Sequence, residues 1–368
     1  MAKKRADGRL QKAFSVNGKK YYVYGRSQKE LFLKEQAKRE EIENGFEKRN
    51  NPTVNEYYER WTDGRRGTIK ESTLRGQIKM YEAIAKVYIP TATRKFGELK
   101  LKEVGIDDLR IVQSELLKTR YTQTTNDYLA HLSHCMNDAL KEGLITKNYC
   151  CLLKNLKRTE ERARDTHHRA LSLEEQKAFF ECDRCKQSFY YHVFRFAIST
   201  GMRSGEIATL KNSDIQKDII HVERTLTRTE AGNYVIGDDA KTEAGRREIP
   251  MTEQIKQIVA EQKAINAMLD GNVVAMDDLI FKAPERGYLM ATPMDREIKR
   301  ICKAAGIKPF TMHAFRATFA TRCIEGGMNP KTLQEILGHS NFNITMSLYG
   351  HCLADTKKQE LNAVTIAI

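Results

Sequence analysis

The chain has 368 residues, 40% of them hydrophobic and 30% charged, with a mean hydropathy of −0.58; that length exceeds one ordinary core and calls for two or three domains. No apolar run is long enough to span a bilayer, and the basic start MAKKRADGRLQKAF lacks the apolar stretch of a secretory signal, so a cytoplasmic protein with no membrane partner is expected. The net charge of +14 points to a polyanionic partner, and residues 1–30 set nine Lys and Arg against Asp7 and Glu30, a local +7 that is half the total.

Residues 9–15 and 20–25 read as two short strands joined at Asn17-Gly18, the strongest hairpin dipeptide. Tyr21, Tyr22 and Tyr24 interleave with lysines, as on a sheet with one face for phosphates and the other for a helix. A third strand is only faintly legible, before Asp7 or around Arg9. Ser27 opens a charged helix over 28–43, which a sheet this small needs for stability, and residues 46–52 read as a linker.

Thr53-Val-Asn-Glu56 is a capping box that starts a second domain. Helices are predicted over 73–88, 106–117 and 125–142. In the last of these Leu129, Leu132, Cys135, Met136 and Ala139 recur at helical spacing before the stop at Gly143. Residues 158–168 are polar and charge-dense, as an exposed linker should be. A second capping box, Ser172 to Glu175, opens a third domain with helices at 173–182 and 187–199. Segments 219–222, 234–236 and 246–250 read as strands of one small antiparallel sheet, and Pro293 and Pro330 mark two helix starts. No internal repeat is visible. Eight cysteines read as reduced thiols: Cys182 and Cys185 form a lone CxxC without the further ligands a structural zinc wants, so no metal is expected.

Arg203, His313, Arg316, His339 and Tyr349 follow in order, and Tyr349 is the only tyrosine after Tyr288. Two arginines, two histidines and one tyrosine suffice to attack a phosphodiester without a metal. The guanidinium fork binds two phosphate oxygens and stays charged, and neighbouring cations favour a phenolate nucleophile. Lys241, in a turn feeding a strand, can reach a phosphate and deliver a proton. Each residue alone has an ordinary reading. Arg203 can be an ion pair with Glu206, Lys241 a solvated turn lysine, His339 a helix-end cap after the stop at Gly338, and Tyr349 a core or surface tyrosine. His-x-x-Arg recurs at His192–Arg195 and His221–Arg224, so only the ordered set carries information.

That set, in TGMRSGEIATL, AKTEAGRREIP, HAFRATFAT, LGHS and SLYGH, resembles the tyrosine recombinase (phage-type integrase) family. The resemblance covers residues from about 170 onward, and residues 51–153 look like the family's core-binding domain, with Phe96-Gly-Glu-Leu-Lys-Leu in the expected order. Residues 1–45 look like the small arm-binding domain of integrases from phages and conjugative transposons. Two departures stand out. Ala317 occupies the place of a second histidine after the motif arginine, and His339 to Tyr349 is one residue longer than the usual nine.

The resemblance implies an α+β multidomain chain: a β-sheet plus helix arm-binding domain (1–45), an all-helical core-binding domain (51–155) and a mainly helical catalytic domain with a small antiparallel sheet and a tail (168–368). It implies a site-specific integrase working through a 3′-phosphotyrosyl intermediate, without cofactor. Tyr349 is the nucleophile, Arg203 and Arg316 hold the equatorial oxygens, and Lys241 is the acid to the leaving oxygen. His313 assists the tyrosine's proton or the phosphate, and His339 donates to a non-bridging oxygen. Expected partners are double-stranded DNA at core and arm sites and three further copies in a tetramer, with a DNA-bending host factor and an excisionase as accessory candidates. Residues 351–368 are expected to dock on a neighbouring subunit. The arm contacts are assigned to Arg9, Lys12, Lys19, Lys20, Tyr22 and Arg26. A Xer-type chromosome dimer resolvase, a type IB topoisomerase and a non-catalytic DNA-binding regulator are the competing readings. The N-terminal sheet argues against the first and the complete residue set against the last.

Overall fold

The structure is a computed structural model that describes residues 3–4, 8–16, 19–43, 51–157, 169–237, 246–269, 279–283 and 287–346. Contacts divide the chain into two compact units, residues 1–164 and 165–368.

The first unit opens with a three-stranded antiparallel sheet of β1 (Lys3–Lys4), β2 (Leu10–Val16) and β3 (Lys19–Gly25), followed by α1 (Gln28–Glu43). The faint third strand is therefore the one before Asp7, pairing Lys3 with Gln11. Val16 pairs with Lys19, while the Asn17-Gly18 turn lies outside the described residues. Strand alternation sends Phe14 and Val23 inward, where Leu31 of α1 covers them. Tyr21 stacks on Phe14 from the helix side at 5.8 Å, whereas Tyr22 and Tyr24 remain exposed.

The same unit holds α2 (Val54–Asp63), α3 (Glu71–Ala85), the two-residue strands β4 (Tyr88–Ile89) and β5 (Arg94–Lys95), α4 (Ile106–Thr119) and α5 (Thr122–Lys141). The capping box is present: Glu56 N–H donates to Thr53 Oγ1 and Thr53 N–H to Glu56 Oε2. α5 buries Leu129, Leu132, Cys135, Met136 and Ala139, the predicted stripe, and Gly143 ends it at φ 74°. Aromatic hydroxyls and N–H groups are satisfied as they enter this core. Tyr58 stacks on Tyr81 at 3.6 Å and meets His131 Nε2 at 2.9 Å, while Trp61 donates to Asp138 at 2.8 Å. Residues 44–50 and 158–168, which hold most of the first expected linker and all of the second, lie outside the described residues.

The second unit runs through α6 (Leu173–Glu181), α7 (Asp183–Lys186), α8 (Tyr191–Thr200), α9 (Ser204–Ile207), β6 (Ile215–Gln216), β7 (Ile219–Val222), β8 (Thr225–Arg228), β9 (Tyr234–Gly237), β10 (Arg247–Pro250), α10 (Glu253–Leu269), α11 (Ala291–Ala305), α12 (Met312–Glu325) and α13 (Pro330–Leu337). One expectation needs correction. Residues 234–237 do not join the sheet of 219–222 and 247–250. They pair with Thr225–Arg228 in a separate hairpin, and the sheet is completed by β6 in the order β10-β7-β6. The hairpin closes through a loop containing Gly232 at φ 96°, and Thr-Leu-Thr-Arg carries no apolar alternation to announce a strand. Cys182 caps the junction of α6 and α7 rather than lying within one helix, and Pro293 sits at the third helical position of α11.

Phe179, Phe194, Phe310 and Phe315 form the centre of this unit's core, with ring centroids 5.0–5.8 Å apart. They fix α12 against α8 and α6. A smaller cluster of Ala320, Ile324, Leu333 and Leu337 fastens α13 to α12, and burying each of its larger side chains contributes about 1.5–3 kcal/mol. Among the described residues, no helix is long and apolar enough to cross a membrane.

Candidate active site

Two left-handed glycine stops lie against α12. Gly201 ends α8 at φ 64° and Gly338 ends α13 at φ 65°. A Cβ on Gly201 would lie 2.5 Å from a ring carbon of Phe319, so only glycine allows this approach. The stops leave carbonyls unpaired by their helices, and arginines take them up. Arg316, 5% exposed, donates to Gly201 O at 2.8 Å and to Leu337 O at 2.6 Å. Arg203 donates to Gly338 O at 3.3 Å. Arg247 donates through Nε to Ile336 O at 2.6 Å. Three successive carbonyls at the negative end of α13 thus each receive a different guanidinium.

Glu206 is the carboxylate among them. Its Oε1 accepts from Arg203 Nη1 at 2.8 Å and from Arg247 Nη1 at 3.0 Å. Its Oε2 accepts from Arg247 Nη2 at 2.7 Å and from the Arg203 backbone N–H at 2.8 Å. Burial works to raise its pKa, but the hydrogen bonds and charge of Arg247, with Arg203 beyond, hold it down at about 2. Burial pulls the Arg316 guanidinium down to about 9, assisted by the Arg203 charge. At neutral pH three guanidinium charges therefore gather around one carboxylate, Glu206, among the described residues. Such a group attracts an anion with two available oxygens.

His339 follows Gly338 directly. Burial first, then the Arg316 and Arg203 charges, lower its pKa to about 4, so the ring is neutral at pH 7. Its Nδ1 lies 2.9 Å from the hydroxyl of Thr345, which is fully buried in the helical turn 342–346. With that hydroxyl donating, Nε2 carries the proton and can donate to an oxyanion. His313 is exposed one turn before Arg316 on α12, near enough that its charge acts on His339.

Of the expected set, Arg203, His313, Arg316 and His339 are brought together. Lys241 and Tyr349 lie outside the described residues, as does the tail 351–368. The other two His-x-x-Arg pairs turn to carboxylates elsewhere, His192 and Arg195 to Glu261 and His221 to Glu248. Arg247 and Thr345 are additions that sequence reasoning missed. Arg247 sat unremarked in a predicted strand, and Thr345 in the interval from His339 to Tyr349 noted only for its length.

On the N-terminal sheet, Lys20 and Tyr22 are exposed, and Arg9 and Arg26 are exposed beside it. Lys12 sits differently, on the helix side with Glu35 at 2.5 Å. Lys19 pairs through its backbone, its side chain lying outside the described residues. Among the described residues, no three His, Cys, Asp or Glu side chains gather as a metal site.

Arginines and a neutral imidazole gathered at the carbonyl end of α13, in a helical unit with a small antiparallel sheet, are the chemistry of a phosphodiester-binding protein. The phage integrase family profile matches residues 169–355, and the chain belongs to that family. It is 31% identical to a tyrosine recombinase XerC-like protein of Caldanaerobacter subterraneus over 62% of this chain and 61% of that relative. It is 28% identical to the transposase from transposon Tn916 of Enterococcus faecalis, over 79% of this chain and 75% of that one. The fold is similar to the Tn1549 transposon integrase in complex with a circular intermediate DNA, with a TM-score of 0.70, 23% identity and coverage of 85% of this chain and 99% of that one.

Proposed function

We propose that this chain is a site-specific integrase that cuts and rejoins double-stranded DNA for a mobile element, acting in the cytoplasm. The observation that carries the reading is the convergence of Arg203, Arg316 and neutral His339 at the carbonyl end of α13. Tyr349 Oη forms a bond to the scissile phosphorus, and the bond to the 5′ oxygen breaks. Lys241 gives that oxygen its proton, and His313 accepts the phenol proton. Arg203 and Arg316 stabilise the equatorial oxygens as charge builds, help of several kcal/mol per donor. His339 Nε2–H donates to a non-bridging oxygen. The 3′-phosphotyrosyl link conserves bond energy, so a 5′-hydroxyl from another duplex reverses the step.

Four strands must be exchanged, so four copies are required on two duplexes, with residues 351–368 docking between neighbours. Residues 1–45 serve as an arm-binding domain, 51–155 as a core-binding domain and 168–368 as the catalytic domain. Lys20 and Tyr22 meet arm DNA in the major groove, with Arg9 and Arg26 flanking; a bending factor and an excisionase complete the assembly. Similarity to the Tn916 and Tn1549 proteins, together with the N-terminal sheet, supports an element-encoded integrase over a chromosome dimer resolvase. The test incubates the protein with nicked duplexes bearing the joined ends of its element. A covalent protein–DNA adduct should form and vanish in Tyr349→Phe; no adduct from the unaltered protein refutes the proposal.

A further inference from the structure

Apart from the arginine cluster, the same unit has a cavity whose side chains the reaction above does not use. It measures about 660 Å3 and lies between the loop before α8, the β8–β9 hairpin and the first turns of α11, walled by Phe189, Tyr190, Tyr234 and Tyr288 with Arg228 and Arg296. No carboxylate stands among its described lining residues. Glu297, the residue after Arg296 on α11, is taken by Arg184 and Arg300. Phe189 is 46% exposed and meets Tyr190 edge to face at 5.4 Å, which leaves apolar ring surface for a flat ligand to cover. The Arg228 guanidinium lies 4.4 Å over the Tyr234 ring, a planar cation beside the rings, and Arg296 is exposed.

Flat rings with guanidinium groups and no acid suit an aromatic base together with its phosphate. Base faces in paired DNA are closed by stacking, so such a pocket selects an unpaired nucleotide. Its position indicates the source. β8 is seated on the turn that carries Arg203: a Cβ on Gly205 would lie 2.7 Å from Thr225 Oγ1 and 3.1 Å from Leu226 O. A smaller cavity of about 280 Å3, lined by Ser204 and Gly205, shares Arg228, Tyr234, Met290 and Thr292 with the larger one. The aromatic pocket thus continues to the residues beside Arg203, which is assigned to the scissile phosphate. A free nucleotide needs no such continuity, whereas a base displaced from the DNA being cut does.

We propose that this pocket takes up one unpaired nucleotide of the DNA substrate, its base on the rings of Phe189 and Tyr288 and its phosphate at Arg296. The inference rests on the reading of this chain as a DNA recombinase. It is tested by fluorescence anisotropy with the full chain and duplexes bearing the joined ends of its element. These are either fully paired or carry one extra adenine, bulged at each position in turn on both sides of the cleavage site. At one position or a short run, the bulge should tighten binding about tenfold, the scale of stacking one base. An abasic residue in place of that adenine should remove the gain. Phe189→Ala and Tyr288→Ala should lose it as well, while binding the paired duplex within about twofold of the unaltered protein, which confirms that they fold. Arg296→Gln should lose part of it.

Equal affinity for bulged and paired duplexes at every position overturns the inference. So does an abasic bulge that binds as tightly as the adenine, since the protein then reads a bend and not a base. Saturable binding of adenosine 5′-monophosphate that Phe189→Ala abolishes, without any preference for bulges, assigns the pocket to a free nucleotide and overturns it too. If the unaltered protein does not bind even the paired duplex, the recombinase reading itself fails and takes the inference with it.

Discussion

Replacing Glu206 by glutamine keeps the shape of the pocket and removes the one negative charge that two arginines share. A carboxyl held at about 2 instead of its ordinary 4.5 carries about 3 kcal/mol of charge-dependent stability, at about 1.36 kcal/mol for each tenfold change in proton affinity. Breaking a buried pair from one side costs about 3–5 kcal/mol, and with Glu206 7% and Arg247 4% exposed little of this is screened by solvent. The folded pKa lies below the unfolded one, so the contribution is complete above about 4.5 and disappears as pH falls through about 2. Urea denaturation followed by circular dichroism should place Glu206→Gln about 3 kcal/mol below the unaltered protein at pH 7. That difference should shrink by about 2 kcal/mol at pH 3, where the carboxyl is almost fully protonated in the unfolded chain but still largely ionised in the folded one. A difference that stays constant with pH would show that the loss is one of packing, and the electrostatic account of the pocket would fail.

Thr345→Val removes the hydroxyl that orients His339 and leaves a buried ring nitrogen unmet, at about 1–3 kcal/mol; adduct formation should slow at least tenfold while DNA binding is unchanged, and normal cleavage would rule out the contact. The His339 imidazole should stay neutral from pH 8 down to about 5 in a nuclear magnetic resonance titration, because its folded pKa is near 4. Stability from that neutral ring should be full above about 6.5 and lost as pH falls through about 4, and a titration midpoint near 6.5 would contradict the buried, cation-flanked environment. On the N-terminal sheet, Lys20→Ala should weaken arm-DNA binding and reduce the salt slope by about one. Lys12→Ala, losing Glu35, should instead lower the melting point of that domain; equal salt slopes in the two variants would refute the division of faces.

Local signals were legible wherever the physics was local. Thr53 with Glu56, Ser172 with Glu175, Asn329 before Pro330, and glycine at 143 and 338 each act within one turn of chain, so these helix ends fell where sequence placed them. The ordered Arg203, His313, Arg316 and His339 could be named because residue type alone restricts phosphate chemistry to few candidates. The β8–β9 pairing was missed because β8 lacks apolar alternation and the loop is not a two-residue turn. Strand parity puts Lys12 on the helix side, where it pairs with Glu35 of α1 while its side chain stays 37% exposed.

Sequence by itself determined several helix starts, the stops at Gly143 and Gly338 and the cast of cationic side chains, since these depend on neighbours within about four residues. Only the tertiary structure decided that Glu206 reaches Arg247, forty-one positions away, and that three arginines share the carbonyls of residues 336–338. Such pairings follow from how α8, α12 and α13 pack, a property of buried surfaces meeting in space that no spacing along the chain records.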